Sequence, residues 1–457
     1  MTTETPAAPP RPPLRVTLFQ SPAGRLVLIG LLLVLLMIPA QIIRDVVRER
    51  AERRDEAAAD IIASWGGHQR LLGPVLRVPF RIREKNTDDK GKVTESVWRD
   101  ALYLLPQSLK IEARLDTELR RRGMFELPVY GSGLKLRGEF ARPDLSRFNV
   151  LPQDIDWKGA ELIVSLTEPR SLHADARLVW QGQALRFRPS TGSGGLGKLP
   201  GIHVPLGLAE PDLFPAGKAT FDIGLGFNGA EQLWFAPTAE ETTVALNSDW
   251  AHPSFQGSWL PLKREIGTKG FAADWSVSYL GRDYPQQWRE SAPVGDELLK
   301  AGFGVSLAVP VDPYLLAERI SKYALLTLVC SFAVIWLTEL LSGRRVHPIQ
   351  YGFVGAGLCL FSLLQLSVAE HFGFTVAYGI AAVAVTLMVT LYSRSLLGGW
   401  RSLAVGGVLT ALYGYLYTIL QAEDYALLGG AVALFLGLAV AMYLTRNFDW
   451  FGSEAKK

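Results

Sequence analysis

The sequence predicts an α+β membrane protein with one N-terminal transmembrane (TM) helix, a large and mostly antiparallel β domain, and a C-terminal five-helix TM bundle. Apolar residues make up 49% of the 457-residue chain and are concentrated in residues 26–43 and 323–444. Between these stretches, short runs of alternating apolar and polar residues are separated by Gly, Pro and Asn, which is typical of strands and turns.

The first predicted span is Leu26–Ile43, because about 20 apolar residues in a helix cross a hydrocarbon core of about 30 Å. A cleaved signal peptide is the alternative. A span is favoured because the run is long and a charged stretch with helical spacing, residues 43–63, continues directly from it. Residues 1–25 are rich in proline and are expected to form a disordered tail.

Five further spans follow in the C-terminal part of the chain, before a short tail at residues 445–457. Their connections are short, which makes successive helices antiparallel neighbours in one bundle. The predicted spans are Tyr323–Leu340, Tyr351–Ala369, Phe372–Tyr392, Leu403–Gln421 and Tyr425–Leu444.

The orientation of these spans follows from Lys and Arg in short loops, which are enriched on the cytoplasmic side of membranes. If six spans alternate, the short loops on one face have no Lys or Arg, and their acidic and histidine residues are Glu370, His371, Glu423 and Asp424. We therefore expect both termini in the cytoplasm and residues 44–320 on the other side. The opposite, cytoplasmic face would carry Arg11, Arg15, Arg25, Arg344, Arg345, Arg394, Arg401, Arg446, Lys456 and Lys457.

One group of charges disagrees with this orientation. Five arginines directly follow the first span on the predicted outer side, and the neighbouring acidic residues count little in the rule. The three concordant loops of the bundle outweigh them. The discordant residues are Arg44, Arg48, Arg50, Arg53 and Arg54.

Residues 44–320 predict a β sandwich or another two-sheet domain. A hairpin is expected from GPVLRVPFRIRE and VWRDALYLLP, with KNTDDKGK as its turn. Two later segments, ADARLVWQGQALRFRPS and LGFNGAEQLWFAPTAEET, share an order of strand, Gly turn and aromatic strand. Independent hairpins explain this similarity better than a duplication does. The two cysteines, Cys330 and Cys359, lie in apolar stretches, so the β domain has no disulfide.

Motifs that would carry chemistry are weak. Residues 192–198, GSGGLGK, have the spacing of a phosphate-binding loop, but Leu199 replaces the required Ser or Thr and Pro200 disfavours a following helix. A hydrolase could use His252 and Ser254, but a loop joining two strands is the favoured interpretation. The six His residues are scattered, so neither a metal site nor a cofactor is predicted, and the net charge of +3 argues against nucleic acid.

Polar residues inside the predicted spans are costly there and therefore informative. Glu339 is expected to pair with Arg344 or Arg345, and Gln365 to form hydrogen bonds across helices. Glu370 and His371 are expected to face water at the membrane interface. The alternative is a site where they contact a ligand or the β domain.

Long blocks of the chain resemble the CreD family of bacterial inner membrane proteins. The bundle contributes HPIQYGFVGAGLCLFSLLQLSVAEHFGFTVAYGIAA, LYGYLYTILQAEDYALLGG and MYLTRNFDWF. The β domain contributes LGPVLRVPF, RRGMFELPVY, SDWAHPSFQGSWLP and GFAADWSVSYLGR in the family's order. The chain departs from the family pattern at Ser362 and Gln365, where Tyr and Leu are expected, and at Thr167–Leu172.

The resemblance implies an inner membrane location, a periplasmic β domain, and a non-enzymatic part in envelope integrity, the stress response, colicin tolerance and the response to β-lactams. It implies as partners the lipid bilayer and envelope proteins or glycolipids. A transporter or flippase of an amphipathic envelope molecule is the alternative, motivated by Gly-rich spans. The candidate functional residues are Arg122, Gly123, His252, Pro253, Ser254, Phe255, His347, Gln350, Tyr351, Glu370 and His371.

Overall fold

A computed structural model of the chain describes residues 22–87, 93–123, 125–192, 196, 199–292, 294–309, 313–342, 346–421 and 426–446. The chain divides into two compact units, of which the first combines Met1–Arg54 with Val311–Lys457 and the second is Asp55–Pro310. Several predictions concern residues outside the described ranges: most of both tails, most of the GSGGLGK loop, Arg344, Arg345, Glu423 and Asp424.

The first apolar run and the charged stretch after it form one continuous helix, α1 (Pro22–Trp65). Ion pairs one turn apart, such as Arg53 with Glu49 at 2.6 Å, support the charged half. The sequence predicted both halves correctly, and the structure shows that no break separates them.

The second unit is a sandwich of two sheets, as predicted. Most strand pairs are antiparallel, and the parallel pairs are β1 with β11 and β3 with β12. The strands are β1 (Gln69–Thr87), β2 (Val93–Leu104), β3 (Ser108–Arg122), β4 (Phe125–Ala141), β5 (Glu161–Leu166), β6 (Arg177–Trp180), β7 (Gln183–Arg186), β8 (Arg188–Pro189), β9 (Gly201–Pro205), β10 (Lys218–Ala230), β11 (Gln232–Phe235), β12 (Glu241–Ser248), β13 (Pro253–Gly257), β14 (Lys263–Gly267), β15 (Gly270–Ser278), β16 (Gln287–Arg289) and β17 (Phe303–Leu307).

The nine-stranded sheet has the order β13-β17-β11-β1-β5-β9-β8, with β2 paired to β1 and β16 paired to β2. The eight-stranded sheet has the order β14-β15-β12-β3-β4-β10-β6-β7. Two short helices, α2 (Glu210–Leu213) and α3 (Gly295–Lys300), lie in the connections.

The two sheets share one hydrophobic core. Alternation along β3 buries Leu109 and Ile111 and leaves the intervening Lys110 exposed, and Leu136 and Val164 join them from other strands. Each fully buried aliphatic side chain contributes about 1.5–3 kcal/mol, so a core of this extent stabilises the domain without a disulfide.

Two details of the β domain correct the sequence analysis. The segment His252–Phe255 is not a loop, because Pro253–Gly257 forms strand β13 and pairs with β17. Its Phe255 packs edge-on against Phe271 at 5.6 Å, which holds the segment extended, and proline is tolerated at a sheet edge. Of the two similar segments, only the first is a hairpin, formed by β6 and β7, because β10 and β11 of the second belong to different sheets; this agrees with the preference against a duplication.

The C-terminal part of the first unit is a bundle of long helices: α4 (Pro313–Ser342), α5 (Pro348–Phe372), α6 (Phe374–Leu397), α7 (Gly399–Gln421) and α8 (Ala426–Thr445). Within the described ranges, five helices including α1 are long and apolar enough to cross a membrane. Helix α8 occupies the position of the sixth predicted span, with a shorter apolar stretch at Leu428–Val440.

The predicted connections in the bundle were too long. Glu370 and His371 are helical, and so is most of the predicted connection at residues 393–401 (SRSLLGGWR). The turns are made by Gly373 (φ 77°) and Gly398 (φ 92°). Glycine adopts this left-handed region without a steric cost, so each helix ends at one residue and the next begins directly after it.

Candidate functional site

Helices α1, α4 and α5 are joined at both ends by clusters of Arg, Glu and Tyr. We define the Glu339 cluster as Arg25, Glu339, Val346 and Tyr351, and the Glu370 cluster as Arg50, Arg54, Tyr314 and Glu370. At 1.5 Å per residue, Arg25 of one cluster and Arg50 of the other are about 37 Å apart along α1. That distance is close to the 40–45 Å thickness of a whole bilayer, so the clusters match its two interfaces.

The Glu339 cluster is tight and buried. The Glu339 carboxylate forms an ion pair with Arg25, and it accepts hydrogen bonds from the Tyr351 hydroxyl (2.9 Å) and the Val346 backbone N–H (3.2 Å). Glu339 is only 5% exposed. The predicted partners Arg344 and Arg345 lie outside the described residues, and the sequence analysis missed Arg25 as a partner. A buried carboxylate requires a cation, but the sequence did not identify which one.

Three predicted residues at the start of α5 support this cluster. The His347 ring Nδ1 accepts the Ile349 N–H at 3.3 Å, and the Gln350 side chain accepts the His347 N–H at 2.8 Å. This reciprocal cap satisfies backbone donors that lack partners at a helix start. The Tyr351 ring also packs edge-on against Phe332 at 5.4 Å. The cap therefore fixes the position from which Tyr351 donates to Glu339.

The Glu370 cluster uses the same residue types with looser geometry. The Tyr314 hydroxyl donates to Glu370 at 3.3 Å, and Arg50 lies 4.0 Å from the same carboxylate. The Arg54 guanidinium stands 6.0 Å from the centre of the Tyr314 ring. Glu370 therefore does not simply face water as expected, because it joins α5 to α1 and α4. His371 is exposed, and its ring bonds only locally, to the Ser367 carbonyl at 3.2 Å.

Gln365 does not form the predicted bonds across helices. Its side chain is fully buried, and neither amide atom has a hydrogen-bond partner among the described residues. It lies on α5 between the two clusters. An amide buried without partners costs about 1–3 kcal/mol, which identifies this position as a local cost in the bundle.

The predicted residues of the β domain lie in two separate places. Arg122 pairs with Asp60 of α1 at 2.9 Å, and Gly123 follows in the turn after β3 with φ 63°. The adjacent Arg120 stacks its guanidinium 4.0 Å from the centre of the Trp65 ring. These contacts pack the β3 end against α1, so they have a structural role.

Strand β13 provides no catalytic arrangement. Ser254 accepts a hydrogen bond from the Gln256 amide at 3.2 Å, and His252 uses its backbone carbonyl to accept the Ala308 N–H at 3.1 Å. Among the residues that the structure describes, no hydrogen bond or ion pair joins His252 to Ser254 or to a carboxylate. This geometry gives the hydrolase hypothesis no support.

The sequence analysis missed a buried charged group in the nine-stranded sheet. Arg77, 8% exposed, lies 3.1 Å from Glu290 and 3.8 Å from Glu161, and the Tyr103 hydroxyl donates to Glu290 at 3.3 Å. Burial, reinforced by the Glu290 carboxylate, raises the pKa of Tyr103 above its usual range. The sequence did contain a signal for this buried charge, because Arg77 interrupts an apolar run of β1.

These arrangements hold elements of the fold together. Within the described part of the chain, no group of three or more His, Cys, Asp or Glu side chains is placed to hold a metal ion. The Glu339 and Glu370 clusters are the candidate functional site, because they place charged residues at both ends of the membrane-spanning helices.

Comparison with known proteins identifies relatives of the whole chain. The family described as "Inner membrane protein CreD" matches residues 21–451. The protein named "Inner membrane protein CreD" from Escherichia coli (strain K12) is 33% identical over 425 residues, which cover 93% of this chain and 92% of that protein.

Proposed function

Because this chain belongs to the CreD family of inner membrane proteins, we propose that it supports envelope integrity and the response to envelope stress without catalysing a reaction. The observation that carries the proposal is the pair of Arg–Glu–Tyr clusters that hold α1 against the bundle at both ends. A helix fixed in this way anchors the β domain, into which its own chain continues.

The proposed orientation has both termini in the cytoplasm and the β domain in the periplasm. Lys and Arg in the short bundle loops support it. Three of the five discordant arginines after the first span contact polar partners: Arg50 with Glu370, Arg53 with Glu49, and Arg44 with the Ser321 carbonyl at 3.2 Å.

Reporter fusions test this orientation directly. Alkaline phosphatase, which is active only outside the cytoplasm, is fused after residue 182 in the β6–β7 turn, and a cytoplasmic reporter is fused at the same site. We expect activity from the phosphatase fusion alone. Activity from the cytoplasmic reporter alone would reverse the orientation and remove the proposed periplasmic role.

The envelope role is tested by complementation. Cells lacking the protein receive the wild type, Glu339→Gln, or the control Arg186→Gln, which changes an exposed arginine of the β domain. Colicin tolerance and β-lactam response are measured at matched protein levels. We expect the wild type and Arg186→Gln to restore both, and Glu339→Gln to fail. Cells whose phenotypes do not depend on the protein at all would contradict the proposal.

Envelope proteins or glycolipids are the proposed partners of the β domain. Cross-linking in intact envelopes, followed by isolation of the full chain, should recover the same partner repeatedly. Transport or flipping of an amphipathic molecule remains the second candidate, supported by the buried polar Gln365 in a spanning helix. Movement of a fluorescent lipid across vesicles containing the purified protein would favour it.

A further inference from the structure

Helices α6 and α7 enclose a long groove inside the membrane-spanning part of the bundle. Its volume is about 740 Å³, and it lies entirely within two helices that are long and apolar enough to span a membrane. Glycine residues, which have no side chain, line both walls of the groove: Gly379 on α6, and Gly406, Gly407 and Gly414 on α7.

The size of the groove limits what it can hold. It follows α6 from Thr375 to Thr390, a rise of fifteen residue steps, or about 22 Å at 1.5 Å per residue. A groove of this length and volume has room for a single extended hydrocarbon chain.

The chemistry of the walls is apolar despite the hydroxyl groups in the lining. Thr390 donates to the Thr386 carbonyl at 2.7 Å, and Thr410 donates to the Gly406 carbonyl at 2.8 Å. The Tyr378 hydroxyl donates to the Tyr413 carbonyl at 2.7 Å. These three hydroxyl donors are thus used within the protein, whereas the buried Tyr413 hydroxyl of the lining has no hydrogen-bond partner among the described residues.

The contacts described for α8 do not place it in the groove. Gly429 of α8 accepts a hydrogen bond from Tyr415 and lies against Ile419, both on α7. At about 100° per residue, these two side chains lie roughly 140° and 180° around α7 from the centre of the arc of groove residues, and Tyr415 lies about 80° from Gly407. The groove is open towards the surroundings, since Val383 is 67% exposed and Leu403 is 62% exposed.

We propose that the α6–α7 groove is a binding site for one acyl chain of a membrane phospholipid. The hydrocarbon layer of one leaflet is roughly 15 Å thick, and the groove is longer than this. An acyl chain from a lipid of either leaflet would therefore lie in the groove along the whole length of the chain. This inference goes beyond the proposed envelope role and does not depend on it.

Photo-crosslinking tests the proposal with the full chain in vesicles of phosphatidylethanolamine and phosphatidylglycerol. A trace of phosphatidylcholine carrying a diazirine in its acyl chain supplies the probe, and mass spectrometry maps the adducts. We expect adducts on groove residues to exceed those on Phe353 and Leu360, which are exposed on α5 and serve as internal references. Equal labelling of groove and reference residues would mean ordinary surrounding lipid and would overturn the proposal.

Glycine substitutions supply matched variants. A Cβ added at Gly379 or Gly407 meets no atom within 4 Å, so Gly379→Leu and Gly407→Leu fill the groove from opposite walls without a clash at the backbone. Gly437→Leu is the control, because Gly437 has the same open surroundings on α8. We expect the groove variants to lower groove adducts roughly ten-fold, through displaced methylene groups, and the control to leave them unchanged.

Two variants are used in case one of them fails to fold. Either Gly379→Leu or Gly407→Leu is sufficient to test the site, provided that the purified protein is monodisperse. Unchanged labelling in a folded groove variant would overturn the proposal. A second copy of the chain is tested separately with Gly407→Cys. Oxidation that joins two copies through this position in vesicles would assign the groove to a protein contact and would also overturn the proposal.

Discussion

The two ends of the α1–α4–α5 assembly contain the same residue types but differ in geometry. At one end, Glu339 is 5% exposed and accepts short bonds from Tyr351 and Val346 in addition to its ion pair. At the other, the Glu370 side chain is also nearly buried, at 9% exposed, but it lies 4.0 Å from an Arg50 side chain that is 44% exposed. Burial and the number of hydrogen bonds, rather than residue type, decide how much each cluster stabilises the assembly.

This difference suggests a division of roles between the clusters. The Glu339 cluster is expected to act as a fixed attachment of α1, because separating its charges leaves one of them poorly solvated. The Glu370 cluster is expected to open at lower cost, because its ion pair is long and its Arg50 side chain is accessible to water. Four substitutions test this contrast, each measured as the free energy of unfolding of the full chain in detergent.

Glu339→Gln should have the largest effect. Removing the carboxylate charge leaves Arg25 without its ion pair, and a loss of about 3 kcal/mol is expected. Denaturant titration monitored by circular dichroism measures it. The matched control is Glu370→Gln, for which we expect a loss below about 1 kcal/mol. Equal losses in the two variants would eliminate the proposed difference between the ends.

Gln365→Leu should change stability in the opposite direction. Gln365 lies between the clusters on α5, and its amide atoms have no described partners. Leucine has a similar volume and no polar atoms to bury, so a gain of about 2 kcal/mol is expected from the same titration. Destabilisation would show that the amide has a partner in the membrane, which would favour the transport alternative.

Tyr351→Phe should cost about 1.5 kcal/mol, the typical contribution of a hydrogen bond to a charged group. The ring and its contact with Phe332 remain, so the variant isolates the 2.9 Å bond to Glu339. In the Glu339→Gln background the effect of Tyr351→Phe should become smaller. Additive effects of the two substitutions would show that the residues act independently.

Arg50→Gln should have the smallest effect, about 0.5 kcal/mol at low ionic strength. The pair is long and partly exposed, so added salt should abolish the difference from the wild type. Arg186→Gln, an exposed arginine of the β domain, gives the baseline for removing a surface charge. A salt-independent loss above about 2 kcal/mol would place Arg50 in a buried cluster like that of Glu339.

Much of the fold could be predicted because it follows periodicity. The apolar length of Leu26–Ile43 predicted a spanning helix, and the alternation in GPVLRVPFRIRE predicted the first strand of a hairpin. Errors arose where local signals were ambiguous. Pro253 and Ser254 suggested a loop, but pairing with β17 and packing of Phe255 made the segment a strand.

The candidate site was predicted only in its parts. Tyr351 and Glu370 were identified as candidates, and Glu339 as a carboxylate that needs a cation. Their partners Arg25 and Tyr314 are 314 and 56 residues away from Glu339 and Glu370 along the chain. No periodic pattern spans such separations, so the pairing became visible only in the folded bundle.

The sequence by itself determined the segregation of the chain into spanning helices and a two-sheet domain, because hydrophobic burial acts on every residue and leaves a regular pattern. Only the tertiary structure decided which charges meet. An ion pair requires two side chains within about 4 Å, and that distance depends on how whole helices pack rather than on the residues next to either partner.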